Sequence, residues 1–167
     1  MCTVPVMRMS EGVEWGLHCC VTLGWLDEHA PVSIRRLALW FDLPQEYLKK
    51  RLQALARAGI LTSSPGIRGG WSLTRPAERI TVMEVVAALE DGLDLFRCTE
   101  VRQRGAGGAN ATDAEFAETC GISAVMRRAE MAWRRELAAH TIADLMERSP
   151  QGAERTRRDY LRMAGSA

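Results

Sequence analysis

The chain has 167 residues, of which 47% are hydrophobic and 26% are charged, and its formal net charge is +1. This length allows one full hydrophobic core, or a compact domain with an added oligomerisation element. No run approaches the roughly 18 apolar residues of a membrane-spanning helix, and the opening MCTVPVMRMSEG lacks the apolar centre of a signal peptide. We therefore expect a cytoplasmic protein without a membrane partner.

Basic side chains are concentrated in one part of the chain. Residues 33–76 contain eight basic and two acidic residues, a local charge of +6, so that the remainder sums to −5. Concentrated positive charge in an otherwise neutral protein favours contact with a polyanion at that segment. A solvated basic helix face would give the same pattern.

The first predicted elements, in chain order, are three helices. Apolar residues at helical spacing predict a helix over 10–28 with Ser10 as its N-cap. Ser33 is placed to cap a short helix, IRRLALWF, and Pro44 to begin the next, QEYLKKRLQALARA, which ends at Gly59. Two short helices joined by a tight turn, the second amphipathic and basic, are typical of a helix-turn-helix.

A small hairpin is predicted after the third helix. Residues 60–62 are β-prone, Pro65-Gly66 is a turn signal, and GGWSLT supplies the returning strand. Arg68 then lies at the tip of a wing, where it can contact phosphates or the minor groove. These features predict a DNA-binding domain over residues 10–80, after an extension at 1–9. The side chains predicted to contact DNA are Arg35, Gln45, Glu46, Tyr47, Lys49, Lys50, Gln53, Arg57 and Arg68.

The rest of the chain is predicted to be mainly helical. Residues 81–120 comprise a connecting helix, opened by a capping box at Thr81 and Glu84, and a Gly- and Ala-rich loop. Residues 121–147 carry a long helix with an apolar stripe, which predicts a two-fold partner. Residues 148–167 are predicted to be a flexible tail. The predicted fold class is mainly α: a winged helix-turn-helix with a small β-hairpin wing and a long C-terminal dimerisation helix.

The stretch VEWGLHCC, residues 13–20, brings a carboxylate, an imidazole and two thiols together. On a helix Glu14 and His18 project from the same face, one turn apart. Cys19 and Cys20 point about 100° and 200° away from His18 around the helix, so the three side chains do not converge. We interpret Cys19 and Cys20 as packing residues. Five cysteines, an odd number and unevenly spaced, also argue against a secreted disulfide framework.

These motifs, taken in order, resemble the Rrf-two (BadM-type) regulators, which include the iron–sulfur regulators IscR and NsrR. The resemblance covers residues 9–147 and rests on the winged helix-turn-helix ending in GGWSLTRP, the helix TVMEVVAALED, the cysteine loop and HTIADL. GVEWGLHCC and FRCTEVRQRG most resemble the RsrR type, which carries a 2Fe–2S cluster. The resemblance implies a homodimeric transcription regulator that binds double-stranded DNA. We do not expect an enzyme, because the sequence shows no nucleophile–base constellation, phosphate loop or spaced carboxylate pair.

Iron–sulfur members of this family usually supply three cysteines from the loop, and this chain departs from that pattern. Only Cys98 and Cys120 are present, and Phe116 stands where a middle cysteine would be. The resemblance implies that Cys98 and Cys120 of one protomer bind the cluster together with the other protomer's α-helical pair, Glu14 and His18.

Trp15, beside a proposed ligand, is placed to respond to changes at the iron. Redox change is the expected signal, with nitric oxide or cluster loss as alternatives. A cluster-free regulator also stays open, in which Cys98 and Cys120 form a disulfide or bind an effector.

Overall fold

The computed structural model describes residues 9–90, 95–109 and 111–165. The chain forms two compact units, one of residues 1–91 with 138–167 and the other of residues 92–137. The predicted fold class is confirmed: the described residues are mainly helical, with one antiparallel hairpin. No helix in these ranges is long and apolar enough to cross a membrane.

The elements follow the predicted order. The hairpin pairs Leu61 with Leu73 and Ser64 with Gly70, and single 3-10 turns lie at 27–29, 77–79 and 101–103. The helices and strands are α1 (Glu11–Trp25), α2 (Ile34–Phe41), α3 (Gln45–Arg57), β1 (Leu61–Ser64), β2 (Gly70–Leu73), α4 (Val82–Leu89), α5 (Gly105–Gly108), α6 (Asp113–Phe116), α7 (Gly121–Ala138), α8 (Ile142–Glu147) and α9 (Pro150–Gly165).

Most of the predicted helix caps are formed. The Ser33 hydroxyl accepts a hydrogen bond from the backbone N–H of Arg36, and Thr81 forms a complete capping box with Glu84. Ser10 is the exception. It occupies the N-cap position of α1, but its hydroxyl makes no capping bond, and its backbone N–H donates to Oε1 of Glu90 at 2.8 Å. The start of α1 is therefore fixed by a contact with the end of α4 rather than by its own side chain.

Helix α1 lies at the centre of the first unit. It packs against α3, α4, α8 and β2, and Cys19 and Cys20 are fully buried on its inner face. The approach to α4 is so close that a Cβ at Gly16 would collide with the side chain of Leu89. Such contact maximises the dispersion attraction between the helices. Because α4 packs on α1 and α3, the predicted boundary at residue 80 does not separate the two units.

The chain returns to the first unit after α7 by backbone pairing. The N–H of Val82 donates to the carbonyl of His140, and the N–H of Ile142 donates to the carbonyl of Ile80, both at 2.8 Å. Ile142 is fully buried. The segment that begins α8 is thus held to the segment that begins α4.

The predicted flexible tail is wrong for residues 150–165, which form α9. Tyr160 is only 7% exposed. Its hydroxyl accepts a hydrogen bond from Nη1 of Arg36 at 3.0 Å, and its ring lies 6.0 Å from that of His29. Arg157 donates to the carbonyl of Trp25 at 3.0 Å. The charged composition of the tail hid these long-range contacts, which are what hold the helix in place.

We predict that Tyr160→Ala lowers the free energy of unfolding by about 2–4 kcal/mol, because it removes a buried ring and leaves the Arg36 guanidinium without that acceptor. The measurement is urea unfolding followed by circular dichroism at fixed protein concentration. Leu161→Ala is the matched control, since Leu161 is 52% exposed on the same helix. Equal stability of the two variants would contradict the packing of α9.

Candidate functional site

Helix α3 of the helix-turn-helix has one buried apolar face and one exposed basic face. Leu48, Leu52 and Leu55 are fully buried, which turns the opposite face to solvent. The turn between α2 and α3 is closed by Asp42, whose φ of 51° and ψ of 48° lie in the left-handed region, where Asp is tolerated better than most side chains. The predicted contact residues on the exposed face of α3 are Gln45, Glu46, Tyr47, Lys49, Lys50, Gln53 and Arg57.

The eight basic residues of this segment divide into two groups. Three are engaged within the first unit: Arg36 with Tyr160, Arg51 with Tyr47, and Arg75 with Glu84 in a 2.7 Å salt bridge. The other five are exposed: Arg35, Lys49, Lys50, Arg57 and Arg68. Arg68 lies in the turn between the wing strands. The basic surface predicted from the sequence is therefore present, but five of the eight basic residues, rather than all eight, are available to contact DNA.

Glu14 and His18 lie where the helical spacing predicted, on the exposed face of α1. Together with Trp15, Phe41 and Leu43 they line a surface pocket of about 210 Å³. The His18 ring lies 5.9 Å from the Phe41 ring at an angle of 49°. Sequence reasoning missed Phe41 and Leu43, because no local pattern indicates that the end of α2 returns to α1. The pocket offers one imidazole and one carboxylate at an otherwise apolar rim.

A chain of contacts connects α1 with α3, the second, or recognition, helix of the helix-turn-helix. The Trp15 ring meets the Tyr47 ring edge-on, with centroids 5.2 Å apart and an angle of 74°. The Tyr47 hydroxyl accepts a 2.7 Å hydrogen bond from Nη2 of Arg51, and Nη1 of Arg51 donates to the carbonyl of Leu89 at 3.4 Å. Arg51 is one of the eight basic residues of the segment, but its guanidinium is hydrogen-bonded to Tyr47 and Leu89 within the first unit.

Cys19 and Cys20 occupy the core, as the helical angles predicted. Burial raises the pKa of Cys19 to about 12. Burial, followed by the charge of Cys19, raises the pKa of Cys20 still further. Because a thiolate is the reactive form of cysteine, both thiols are inert to metals and electrophiles in the folded state.

The second unit contains Cys98 and Cys120, both partly exposed. The Cys98 thiol donates to Oε1 of Glu100 at 3.4 Å, and Oε2 of Glu100 accepts from Nη2 of Arg102 at 2.8 Å. The hydrogen bond from Arg102 is the largest cause that lowers the pKa of Glu100. The Arg102 guanidinium lies 5.5 Å from the centroid of the Phe116 ring. No sequence pattern indicates a role for Glu100 or Arg102.

The four predicted ligands fall in different units: Glu14 and His18 in the first, Cys98 and Cys120 in the second. Among residues 9–90, 95–109 and 111–165, no three His, Cys, Asp or Glu side chains of one chain lie close enough together to hold a metal ion. The ligand set therefore stays a prediction.

Comparison with known proteins gives the class of the molecule. A family model described as Rrf2, an iron-dependent transcriptional regulator, matches residues 9–148. The chain belongs to the Rrf2 family of transcription regulators. In a transcription regulator of this family, the helix-turn-helix and wing form the DNA-binding region. The match ends just before α9, so this helix lies outside the segment that the family model describes.

Individual relatives agree with the family. Protein aau3 of Rhizobium meliloti (strain 1021) is 34% identical over 118 residues, covering 71% of each chain. The HTH-type transcriptional regulator NsrR of Geobacillus kaustophilus (strain HTA426) is 27% identical over 141 residues, covering 84% of this chain and 90% of that protein. Among solved structures, CymR of B. subtilis, named as its global cysteine regulator, has a TM-score of 0.64 at 21% identity, covering 85% of this chain and 98% of CymR. This last likeness concerns the fold.

We predict that a thiol-alkylating reagent at pH 8 modifies Cys98 and Cys120 in the folded, reduced protein and spares Cys19 and Cys20. With a pKa near 12, only about one part in ten thousand of Cys19 is thiolate at that pH. The measurement is peptide mass spectrometry after timed labelling. A urea-unfolded sample is the control, in which Cys19 and Cys20 react as readily as Cys98 and Cys120. Labelling of Cys19 or Cys20 as fast as Cys98 in the folded protein would contradict their burial.

Proposed function

We propose that this regulator is a homodimer whose DNA affinity is set by a 2Fe–2S cluster, held by Cys98 and Cys120 of one protomer with the partner's Glu14 and the partner's His18. The observation that carries the proposal is the pocket on α1. It is lined by Glu14 and His18, while the adjacent Cys19 and Cys20 are buried and withdrawn. Because the loop contains two cysteines rather than three, the cluster needs further ligands, and the two exposed donors on α1 can supply them.

The donor set suits this cofactor. A 2Fe–2S cluster needs four protein ligands, thiolate is its usual ligand, and imidazole replaces thiolate in Rieske centres. A carboxylate is a harder donor but completes the coordination of iron. When bound, the cluster supplies a one-electron change of charge. The residues of this chain hold it, and the apolar rim of Trp15, Phe41 and Leu43 restricts access of water to the α1 side.

An apolar face on α7 supports the homodimer. Its side chains are exposed to an extent unusual for large hydrophobic residues, which favours burial against a second copy of the chain. On one face of α7 the exposed fractions are 67% for Ile122, 54% for Val125 and 37% for Met126. A two-fold partner would also bring the loop of one protomer to a site where α1 of the other supplies Glu14 and His18.

Trp15 is the proposed coupling residue between this pocket and DNA. It lines the pocket and contacts Tyr47 of α3 directly. A change in how the donors on α1 are held would displace the Trp15 ring, and the Tyr47 ring would follow. The cluster state thereby shifts the population of recognition-helix positions that fit two DNA half-sites.

A second candidate function is a cluster-free regulator that senses thiol oxidation or an effector through Cys98 and Cys120. The partial exposure of both cysteines favours it. Glu14 and His18 would then have no role in signalling. Visible absorption of anaerobically purified protein separates the candidates, because only a bound cluster absorbs there.

We predict that anaerobic reconstitution fails in Cys98→Ala and Cys120→Ala, is impaired in His18→Ala, and is weakened least in Glu14→Ala, because water can replace one carboxylate oxygen. The measurement is iron and sulfide per protomer. Glu11→Ala is the matched control, since Glu11 is exposed on α1 but does not line the pocket. A His18→Ala protein with a wild-type cluster would contradict the ligand set.

Mixed dimers test whether the ligands come from two protomers. One protomer carries Cys98→Ala and Cys120→Ala, and the other carries Glu14→Ala and His18→Ala. Shared ligation leaves one complete ligand set in each mixed dimer, whereas ligation within one chain leaves none. Clusters in the mixed dimer, and in neither parent dimer, are expected. A mixed dimer without clusters would exclude sharing.

We predict that Lys49→Ala and Arg68→Ala each weaken operator binding and flatten the dependence of log K on log salt by about one unit, through the loss of one phosphate contact. The measurement is fluorescence anisotropy at several salt concentrations. Arg79→Ala is the control, because Arg79 is exposed but lies outside the helix-turn-helix and wing. An unchanged salt slope in both test variants would remove these residues from the DNA surface.

A further inference from the structure

A single arginine joins the two ends of the cysteine loop. Arg102 donates to Oε2 of Glu100 through both Nε, at 3.1 Å, and Nη2, at 2.8 Å. The same Nη2 lies 3.5 Å from the carbonyl oxygen of Glu118, a long hydrogen bond, and the guanidinium stacks 5.5 Å from the centroid of the Phe116 ring. We call this group, Glu100, Arg102, Phe116 and Glu118, the Arg102 staple.

Both segments that Arg102 contacts lie next to a cysteine. Glu100 accepts a hydrogen bond from the thiol of Cys98 at 3.4 Å, and Glu118 is two residues before Cys120. Hydrogen bonding to Glu100, together with the negative charge of Glu100, raises the pKa of Arg102. The guanidinium is therefore linked to the Cys98 thiol through the Glu100 carboxylate and to the segment before Cys120 through the Glu118 carbonyl.

The backbone at Glu100 supports the same assignment. Its φ of 47° and ψ of 50° place a non-glycine residue in the left-handed region, a conformation that persists only when surrounding contacts hold it. Glu100 is held by its side-chain contacts with Cys98 and Arg102 and by a 2.9 Å hydrogen bond from the N–H of Gln103 to its carbonyl. The turn after Cys98 is thus fixed by the same side chain that reaches the segment before Cys120.

We propose that Arg102 is the positioning residue of the cysteine site: it holds Cys98 and Cys120 as a preformed pair and sets a permanent positive charge beside their sulfur atoms. Without it, the loop between residues 98 and 120 would have to lose more conformational entropy when both sulfurs bind one ligand. The ligand class is a thiophilic centre that takes two sulfurs at once. Only the identity of that centre as a cluster rests on the proposed function.

An arsenical probe tests the pairing without iron. Phenylarsine oxide condenses with two thiols, forming two As–S bonds and releasing one water, so tight binding requires both sulfurs at one place. We expect Arg102→Gln to weaken its binding to the reduced, cluster-free protein at least ten-fold. Arg104→Gln, an exposed arginine two residues away, should bind as the wild type does. Cys98→Ala shows how much phenylarsine oxide binds to the remaining thiols when the pair is broken.

Two further measurements separate positioning from a general loss of structure. Arg102→Lys keeps the charge but not the two-pronged contact with Glu100, so its affinity should lie between those of the wild type and Arg102→Gln. Cadmium titration should give less sulfur-to-metal absorption near saturation in Arg102→Gln, while the helical circular dichroism is unchanged. If Arg102→Gln does not fold, Arg102→Lys carries the test, with a several-fold loss expected.

The outcomes distinguish this proposal from the proposed function. A wild-type protein that takes up no cluster, with weakened arsenical binding in Arg102→Gln, rejects the cluster but upholds the pairing. A wild-type protein that takes up the cluster, with arsenical binding by folded Arg102→Gln or Arg102→Lys as tight as the wild type, rejects the pairing but upholds the cluster.

Discussion

Helix α1 approaches its neighbours so closely that a side chain at Gly12, Gly16 or Gly24 would force a neighbouring side chain to move. A Cβ at Gly16 would collide with Leu89, and one at Gly12 would lie 2.6 Å from Nε of Arg51. This contact fixes the rotation of α1 about its own axis. Cys19 and Cys20 must then face the core, and Glu14 and His18 must face outward beside α2 and its following turn. A larger residue at either glycine would have to displace the side chain of Leu89 or Arg51, or else shift the helix and the outward pair with it.

The same packing determines which arginines can meet DNA. Arg51 packs against Gly12 and bonds to Tyr47 and Leu89, and Arg36 is held by Tyr160. Arg51 thus connects α3 with α1 and α4, and Arg36 connects α2 with α9, so neither guanidinium is free to contact phosphates. A guanidinium suits this purpose because it stays charged, stacks on aromatic rings and offers several donors at fixed angles.

Local signals predicted most of the fold, and long-range contacts account for the errors. The caps at Ser33 and Thr81 depend on side chains within three residues, and both form. Helix α9 depends on Tyr160 meeting residues over a hundred positions earlier in the chain, which no sequence window contains. In the candidate site, helical spacing placed Glu14, His18 and the buried cysteines correctly. It gave no indication of Phe41 and Leu43, nor of the link from Glu100 through Arg102 to Phe116, because each brings together residues from separate elements.

The packing of α9 against α1 and α2 has a practical consequence for experiments with this protein. A purification tag or reporter joined after Ala167 would stand two residues beyond α9, the helix that contacts Arg36 on α2 and the carbonyl of Trp25 at the end of α1. A bulky fusion there would pull on the first helix of the DNA-binding head and on the helix that carries Glu14 and His18. Measurements of operator affinity made with such a fusion would therefore report the fusion as well as the protein.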